Sequence, residues 1–155
     1  MTNSKARTLN NLIGGQWVPS ASGRSEPVYN PATEEVLAYV PMSSKEEVDQ
    51  AVTAACQAFA DWSRTPVPRR ARVLFRYQQL LVEHWEELAR LITLENGKSY
   101  AEAYGEVQRG IECVEFAAGA PSLMMGKQLP DIATNLESGM YRYPIGVVSG
   151  ITPFN

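Results

Sequence analysis

Apolar residues change their period twice along this chain. From residue 12 to 41 they come in short runs separated by turn residues. Leu12-Ile13 and Gln16-Trp17-Val18 flank Gly14-Gly15. This predicts a tight hairpin, because a two-residue turn with the twist of the strands needs positive φ, which glycine adopts freely. A Ser/Gly loop follows. Val28-Tyr29 and Val36–Pro41 read as two strands joined by a turn that starts at Asn30-Pro31, with Pro41 closing the second strand.

From residue 44 the period becomes helical, about 3.6 residues. Ser44-Lys45-Glu46-Glu47 is a capping box: the serine hydroxyl serves a free backbone N–H, and Glu47 reaches back. Val48, Ala51, Val52, Ala55, Phe59 and Trp62 then form one apolar stripe, with Cys56 beside it as a small core residue. Pro66 and Pro68 interrupt. The spacing of Ala71, Leu74, Leu81, Trp85, Leu88 and Ile92 predicts a second helix from about 69 to 96, stopped by Asn96-Gly97. His84 lies on this helix with no second ligand or nucleophile nearby and reads as a surface or boundary residue. A third helix is predicted from about 100 to 124, with its stripe at Tyr104, Val107, Ile111, Val114 and Ala118 and a bend or interruption at Pro121. Residues 131–143 alternate roughly and contain the turn pair Ser138-Gly139. Residues 147–152 read as a buried strand, parallel because both faces are small or apolar. Strands, three helices and strands again predict an α/β or α+β domain.

Composition narrows the class. The 155 residues are 45% hydrophobic and 20% charged, as in a globular domain with its own core. With 14 basic and 17 acidic side chains the net charge is −3. That argues against a nucleic-acid partner or an anionic membrane surface. Cys56 and Cys113 form no CxxC and no metal-ligand spacing, so no metal site is expected, and they read as reduced, buried thiols of a cytoplasmic protein. No apolar run approaches the roughly 18 residues of a membrane span. The polar start MTNSKARTLNN lacks the apolar region of a signal peptide.

The usual catalytic constellations are absent: no GxGxxG or GxxxxGK[ST] follows a strand, and there is no HExxH or GxSxG. Two residues stand out. Arg109 lies off the main apolar stripe and shares a face with Cys113 and Phe116. It either offers its guanidinium fork to a carboxylate or phosphate, or pairs with Glu106 or Glu112 one turn away. Asn155 follows the predicted strand 147–152 and Pro153. It is either a turn or cap asparagine, or a ligand-contacting amide just past the carboxyl end of a parallel strand, able to donate to an oxyanion.

Three stretches carry a resemblance: Asn30-Pro31-Ala32-Thr33 after the hairpin, Leu94-Glu95-Asn96-Gly97-Lys98, and Tyr143-Pro144-Ile145-Gly146-Val147 leading to Ile151-Thr152-Pro153-Phe154-Asn155. In this order they resemble the N-terminal part of the aldehyde dehydrogenase superfamily, over nearly the whole chain. The stretches from Arg109 to Gly126 and from Tyr141 to Gly146, with Phe154 before the asparagine, resemble its CoA-acylating methylmalonate-semialdehyde branch.

The resemblance implies the following. Residues 1–127 are the N-terminal part of an NAD-binding domain, 128–143 are oligomerisation-arm strands, and 144–155 hold the first strand of the nucleotide-binding sheet. The activity is NAD-dependent oxidation of methylmalonate or malonate semialdehyde through a cysteine thioester. The acyl group passes to CoA with loss of carbon dioxide, giving propionyl-CoA or acetyl-CoA in valine or inositol breakdown. Asn155 is the catalytic oxyanion amide, Arg109 grips the substrate carboxylate, and Thr152 and Phe154 line the NAD site. The partners are the semialdehyde, CoA and further copies of the chain, in a dimer or tetramer. The family's nucleophilic cysteine is matched by neither Cys56 nor Cys113. The chain is therefore expected to be a segment that does not oxidise aldehydes alone. Two alternatives stand beside this reading: a non-catalytic remnant acting as an interaction module, and an aldehyde dehydrogenase of another specificity.

Overall fold

The computed structural model describes residues 6–153 and 155. The N-terminal quarter forms two small sheets. β1 (Arg7–Thr8) pairs in parallel with β5 (Val36–Pro41), which pairs antiparallel with β4 (Ser25–Tyr29). β2 (Asn11–Ile13) and β3 (Gln16–Val18) make the expected hairpin, with Gly14 and Gly15 at φ 57° and 78°. These values are the left-handed pair that a tight hairpin turn requires. The turn between β4 and β5 is held by Asn30: its side chain accepts from the Ala32 N–H at 2.9 Å, and its carbonyl from Glu34 N–H at 2.8 Å.

α1 (Lys45–Trp62) begins at the predicted capping box. Its Glu47 does more than cap. The carboxylate accepts from the Ser44 N–H at 2.7 Å, from the Ala21 N–H at 2.9 Å and from Ser20 Oγ at 3.0 Å. One side chain therefore ties the Ser/Gly loop to the helix start. Bonds to the charged form, first from the Ser44 backbone and then from Ala21, hold its pKa below the usual carboxylate range. The stripe of α1 stays largely uncovered: Val48, Val52 and Trp62 are exposed. Cys56 and Cys113 are exposed free thiols as well, contrary to the expectation of burial. Helical spacing fixes which residues share a face, but burial needs a second element on that face.

The predicted helix over 69–96 is two helices, α2 (Val67–Glu83) and α3 (Trp85–Asn96), divided at His84, where φ is −104° and ψ 14°. No Pro or Gly marks the break. Trp85 lies just beyond it and stacks on Tyr104 with ring centroids 4.7 Å apart, while its indole N–H donates to the Tyr104 carbonyl at 2.9 Å. A tertiary contact thus sits at the break that periodicity does not report. Gly97 closes α3 at φ 83°, and a Cβ there would lie 2.9 Å from Pro31 Cγ. The helix stop therefore abuts the β4–β5 turn.

α4 (Tyr100–Ala118) starts at a second capping box, Ser99 with Glu102. It ends at Gly119, before a short α5 (Ala120–Leu123) rather than continuing to 124. Among the described residues the buried apolar side chains are Ala71, Ala89, Ala103, Val107, Ile111 and Ala118. They sit where α2 and α3 meet α4. Alanines at the crossings let the helix backbones approach closely, and Leu81, Trp85, Leu88 and Ile92 close over them.

β6 (Lys127–Ala133) and β7 (Leu136–Met140) form a projecting hairpin whose residues are all exposed. Its turn is at Thr134-Asn135, with Asn135 at φ 62°, and Ser138-Gly139 lies inside β7. Asparagine tolerates the left-handed turn conformation and supplied the signal that the Ser-Gly pair was expected to give. Residues 147–152 join no sheet among the described residues, and Val148 and Ile151 are exposed. A strand needs a neighbour to take its backbone N–H and C=O groups. The chain's other described strands are spent in three separate small sheets. No helix among the described residues is long and apolar enough to cross a membrane.

Candidate functional site

An open cleft of about 510 Å³ runs along the first half of α4. Its helical wall is built from Ala101, Glu102, Gly105, Glu106 and Arg109. These positions recur every three to four residues and so share one face of the helix. Lys98, just before the N-terminus of α4, and Asn155 complete the lining. The structure therefore brings together Arg109 and Asn155, the two residues that the sequence singles out 46 positions apart. A smaller hollow of about 130 Å³ lies on the other side of Lys98, against Ile92, Glu95 and Pro153.

The charges in the cleft are already sorted. Glu106 is paired with Lys98, and both are mostly covered, their side chains 27% and 17% exposed. The Lys98 ammonium also donates to the Asn155 main-chain oxygen at 2.7 Å. Glu102 accepts from Ser99 Oγ at 2.8 Å and from the Ser99 N–H at 3.2 Å. These bonds, the hydroxyl first, lower its pKa, since they favour the ionised carboxylate. Glu112, the other candidate partner for Arg109, accepts from Gln108 at 3.0 Å instead. Arg109 forms no ion pair among the described residues and is exposed to the cleft. Of the two sequence readings of Arg109, the local ion pair is thus not made, and its five donors are available to an incoming anion.

The other candidates fall elsewhere. Thr152 is exposed and does not line the cleft. Phe154 lies outside the described residues. Cys113 is one turn from Arg109 but is not part of the cleft wall. Sequence reasoning missed Lys98 and the Ser99–Glu102 cap. The cap had a local signature, a serine three residues before a glutamate at the start of an apolar period. Lys98 had none, because its partners are 8 and 57 positions away. A hollow of about 500 Å³ at Arg7–Asn10 and Trp17 contains one ionisable side chain, Arg7, and none of the predicted residues.

Comparison with known proteins bears on this geometry. Residues 17–155 match the Aldehyde dehydrogenase family. Malonate-semialdehyde dehydrogenase 2 of Geobacillus kaustophilus is 80% identical over 149 residues, and malonate-semialdehyde dehydrogenase of Halalkalibacterium halodurans is 79% identical over 147. The matches cover 96% and 95% of this chain, which spans 31% and 30% of those relatives. A Sinorhizobium meliloti protein crystallised with NAD is 36% identical, with a TM-score of 0.92 over 98% of this chain and 31% of its own. Methylmalonate-semialdehyde dehydrogenase of Oceanimonas doudoroffii is 42% identical, with a TM-score of 0.85 over 90% of this chain and 28% of its own. The fold is the N-terminal part of the one these enzymes share, and the chain belongs to the aldehyde dehydrogenase family.

Proposed function

We propose that this chain is the part of an NAD-dependent, CoA-acylating semialdehyde dehydrogenase that supplies the substrate-carboxylate and oxyanion groups. The substrate is malonate semialdehyde or its methyl homologue. One observation carries the reading: Arg109 and Asn155 line the same cleft, with the competing acids already engaged elsewhere. The names of the 79–80% identical relatives support the substrate class.

The division of labour follows from charge. A semialdehyde carries a carboxylate at one end and the reacting carbonyl at the other. Arg109 offers a bidentate, charge-assisted grip on the carboxylate. Asn155 offers an amide N–H to the carbonyl oxygen. That contact strengthens as negative charge develops when a thiolate adds, so it stabilises the transition state more than the ground state. The thiolate comes from a residue outside the cleft wall described here, since neither Cys56 nor Cys113 lines it. NAD, when bound, accepts the hydride. Thr152 fits a contact to it, being exposed. The overall reaction, malonate semialdehyde with CoA and NAD⁺ giving acetyl-CoA, carbon dioxide and NADH, is balanced without a further reactant. Arg109 is exposed in this segment, where its attraction for an anion is weak. Its full strength needs the remainder of the enzyme to cover the cleft and exclude water.

The test joins residues 1–155 to the rest of the Geobacillus kaustophilus relative and follows NADH formation from malonate semialdehyde with and without CoA. CoA-dependent turnover is expected. Arg109→Ala is expected to lower kcat/KM by about 10–100-fold, the scale of one charged hydrogen-bond grip. It should lower turnover of an aldehyde without a carboxylate far less. Equal effects on both aldehydes would remove the carboxylate role.

A further inference from the structure

Gly105 has no local reason to be a glycine. It sits inside α4 (Tyr100–Ala118), away from both ends. Its φ is not positive. A Cβ built on it would meet nothing within 4 Å among the described residues. Glycine weakens a helix interior relative to alanine, because it gives up more backbone freedom on folding. Other glycines here have evident causes. Gly97 combines positive φ with a close neighbour, and a Cβ on Gly126 would collide with the Met140 carbonyl oxygen. Neither cause applies to Gly105.

What Gly105 does have is a position. It is half-buried and lines the cleft one turn before Arg109 on the same helix face, about 5.4 Å along the axis. Helical side chains lean toward the N-terminus, so the Arg109 stem leans over the turn that contains Gly105. It stops short of the space that a Cβ would open onto, which stays empty to 4 Å. A carboxylate gripped by Arg109 therefore brings the carbon bonded to it close to that space. We propose that Gly105 is the specificity-determining residue for this carbon. The room left by the missing side chain accepts the branch of a 2-substituted malonate semialdehyde, of which the methyl homologue is the smallest. This rests on the reading of Arg109 as the carboxylate grip. One extra carbon, fitted or refused by a pocket, changes kcat/KM by about 10–200-fold. The Cβ of an alanine would take the volume that a methyl branch needs. Gly110 is the matched comparison: it too lies inside α4 with nothing within 4 Å of a Cβ, but it borders the groove between α2, α3 and α4 instead of the cleft.

The experiment uses the same full-length joined enzyme, with variants Gly105→Ala, Gly105→Val and Gly110→Ala. It measures kcat/KM for malonate semialdehyde and for methylmalonate semialdehyde. Gly105→Ala is expected to lower the ratio of methyl homologue to parent substrate by about 10-fold, and Gly105→Val by about 100-fold. Malonate semialdehyde itself should stay within about threefold in Gly105→Ala, and the thermal midpoint should not fall. Gly110→Ala should leave the ratio unchanged. An unchanged ratio in the Gly105 variants would overturn the proposal. So would an equal fall on both substrates or a lowered midpoint in Gly105→Ala, since either marks space filled by protein. No turnover of the methyl homologue by the parent enzyme would overturn it too. If Gly105→Val does not fold, Gly105→Ala and Gly105→Ser decide the same question. Failure of the Arg109 reading shows separately: Arg109→Ala would then affect aldehydes with and without a carboxylate equally, and the role of Gly105 would fall with it.

Discussion

At the scale of single residues, small groups in fixed places decide much of this structure. Gly97 combines a φ of 83° with Pro31 Cγ 2.9 Å from where a Cβ would stand. Gly97→Ala is therefore expected to destabilise by at least about 1–2 kcal/mol, the ordinary cost of the left-handed conformation for a residue with a Cβ. Thermal unfolding measures it, and an unchanged midpoint would show that the α3 stop is not under this constraint. Glu47 and Glu102 carry a pH dependence. Both are ionised more readily folded than unfolded, because N–H and O–H groups point at their carboxylates. A lowered folded pKa means that the unfolded chain binds protons first as pH falls. Their stabilisation is complete above the unfolded carboxylate pKa and disappears as pH drops through the folded value. Glu47→Gln should flatten the acid limb of a stability–pH curve, and an unaltered slope would deny it that role. Ser44 and Glu47 announced themselves in sequence because a capping box is local. Glu47's further bonds to Ser20 and Ala21 did not, because they span 27 and 26 positions.

At the scale of elements, the crossing of α3 and α4 is set by alanines. Ala89 and Ala103 are fully buried, at 0% exposure, next to Val107 and Ile111. A larger side chain has nowhere to go without separating the helices. Ala103→Leu is expected to cost about 1–3 kcal/mol as overpacking, and by moving α4 to disturb the cleft as well. Urea unfolding monitored by Trp85 fluorescence measures the first effect. The apolar stripes of these helices were legible, since period shows which apolar residues share a face. The break at His84 was not, because it accompanies the stacking of Trp85 on Tyr104 from a different helix. The turn of the last hairpin was misplaced by four residues for a related reason. Two dipeptides there tolerate turn geometry, and strand register chose Thr134-Asn135 over Ser138-Gly139.

At the scale of the whole molecule, much apolar surface remains outside any core. Tyr77, Leu91 and Val114 border a groove of about 400 Å³ between α2, α3 and α4. Residues 147–152 have no pairing partner among the described residues, and both strands of β6–β7 are exposed. In amide hydrogen exchange, the α3 and α4 backbones are expected to be protected longest and residues 147–152 to exchange first, since only the former have intact hydrogen-bond ladders under packed side chains. Slow exchange at 147–152 would mean that they pair after all, within the chain or between copies. The family resemblance implies that the β6–β7 hairpin is an oligomerisation arm, and its exposed strands fit that expectation. Leu129→Lys, on an exposed strand position, should then shift the joined enzyme toward monomer in light scattering, and an unchanged mass would count against the arm.

The sequence by itself determined what depends on neighbours within a few residues. These are the Gly14-Gly15 hairpin, the Asn30 turn, the capping boxes, the stop at Gly97, the inward faces of α3 and α4, and, through motif order, the family. Tertiary structure decided what depends on distant partners. It divided α2 from α3, left Cys56 and Cys113 exposed, and kept residues 147–152 out of a sheet. It also freed Arg109 by assigning Glu106 to Lys98 and Glu112 to Gln108. Helical period places a side chain on a face, but a charge's partner and a strand's neighbour are chosen in space. The cleft holding Arg109 and Asn155 therefore became visible only once α4 and the Asn155 segment lay side by side.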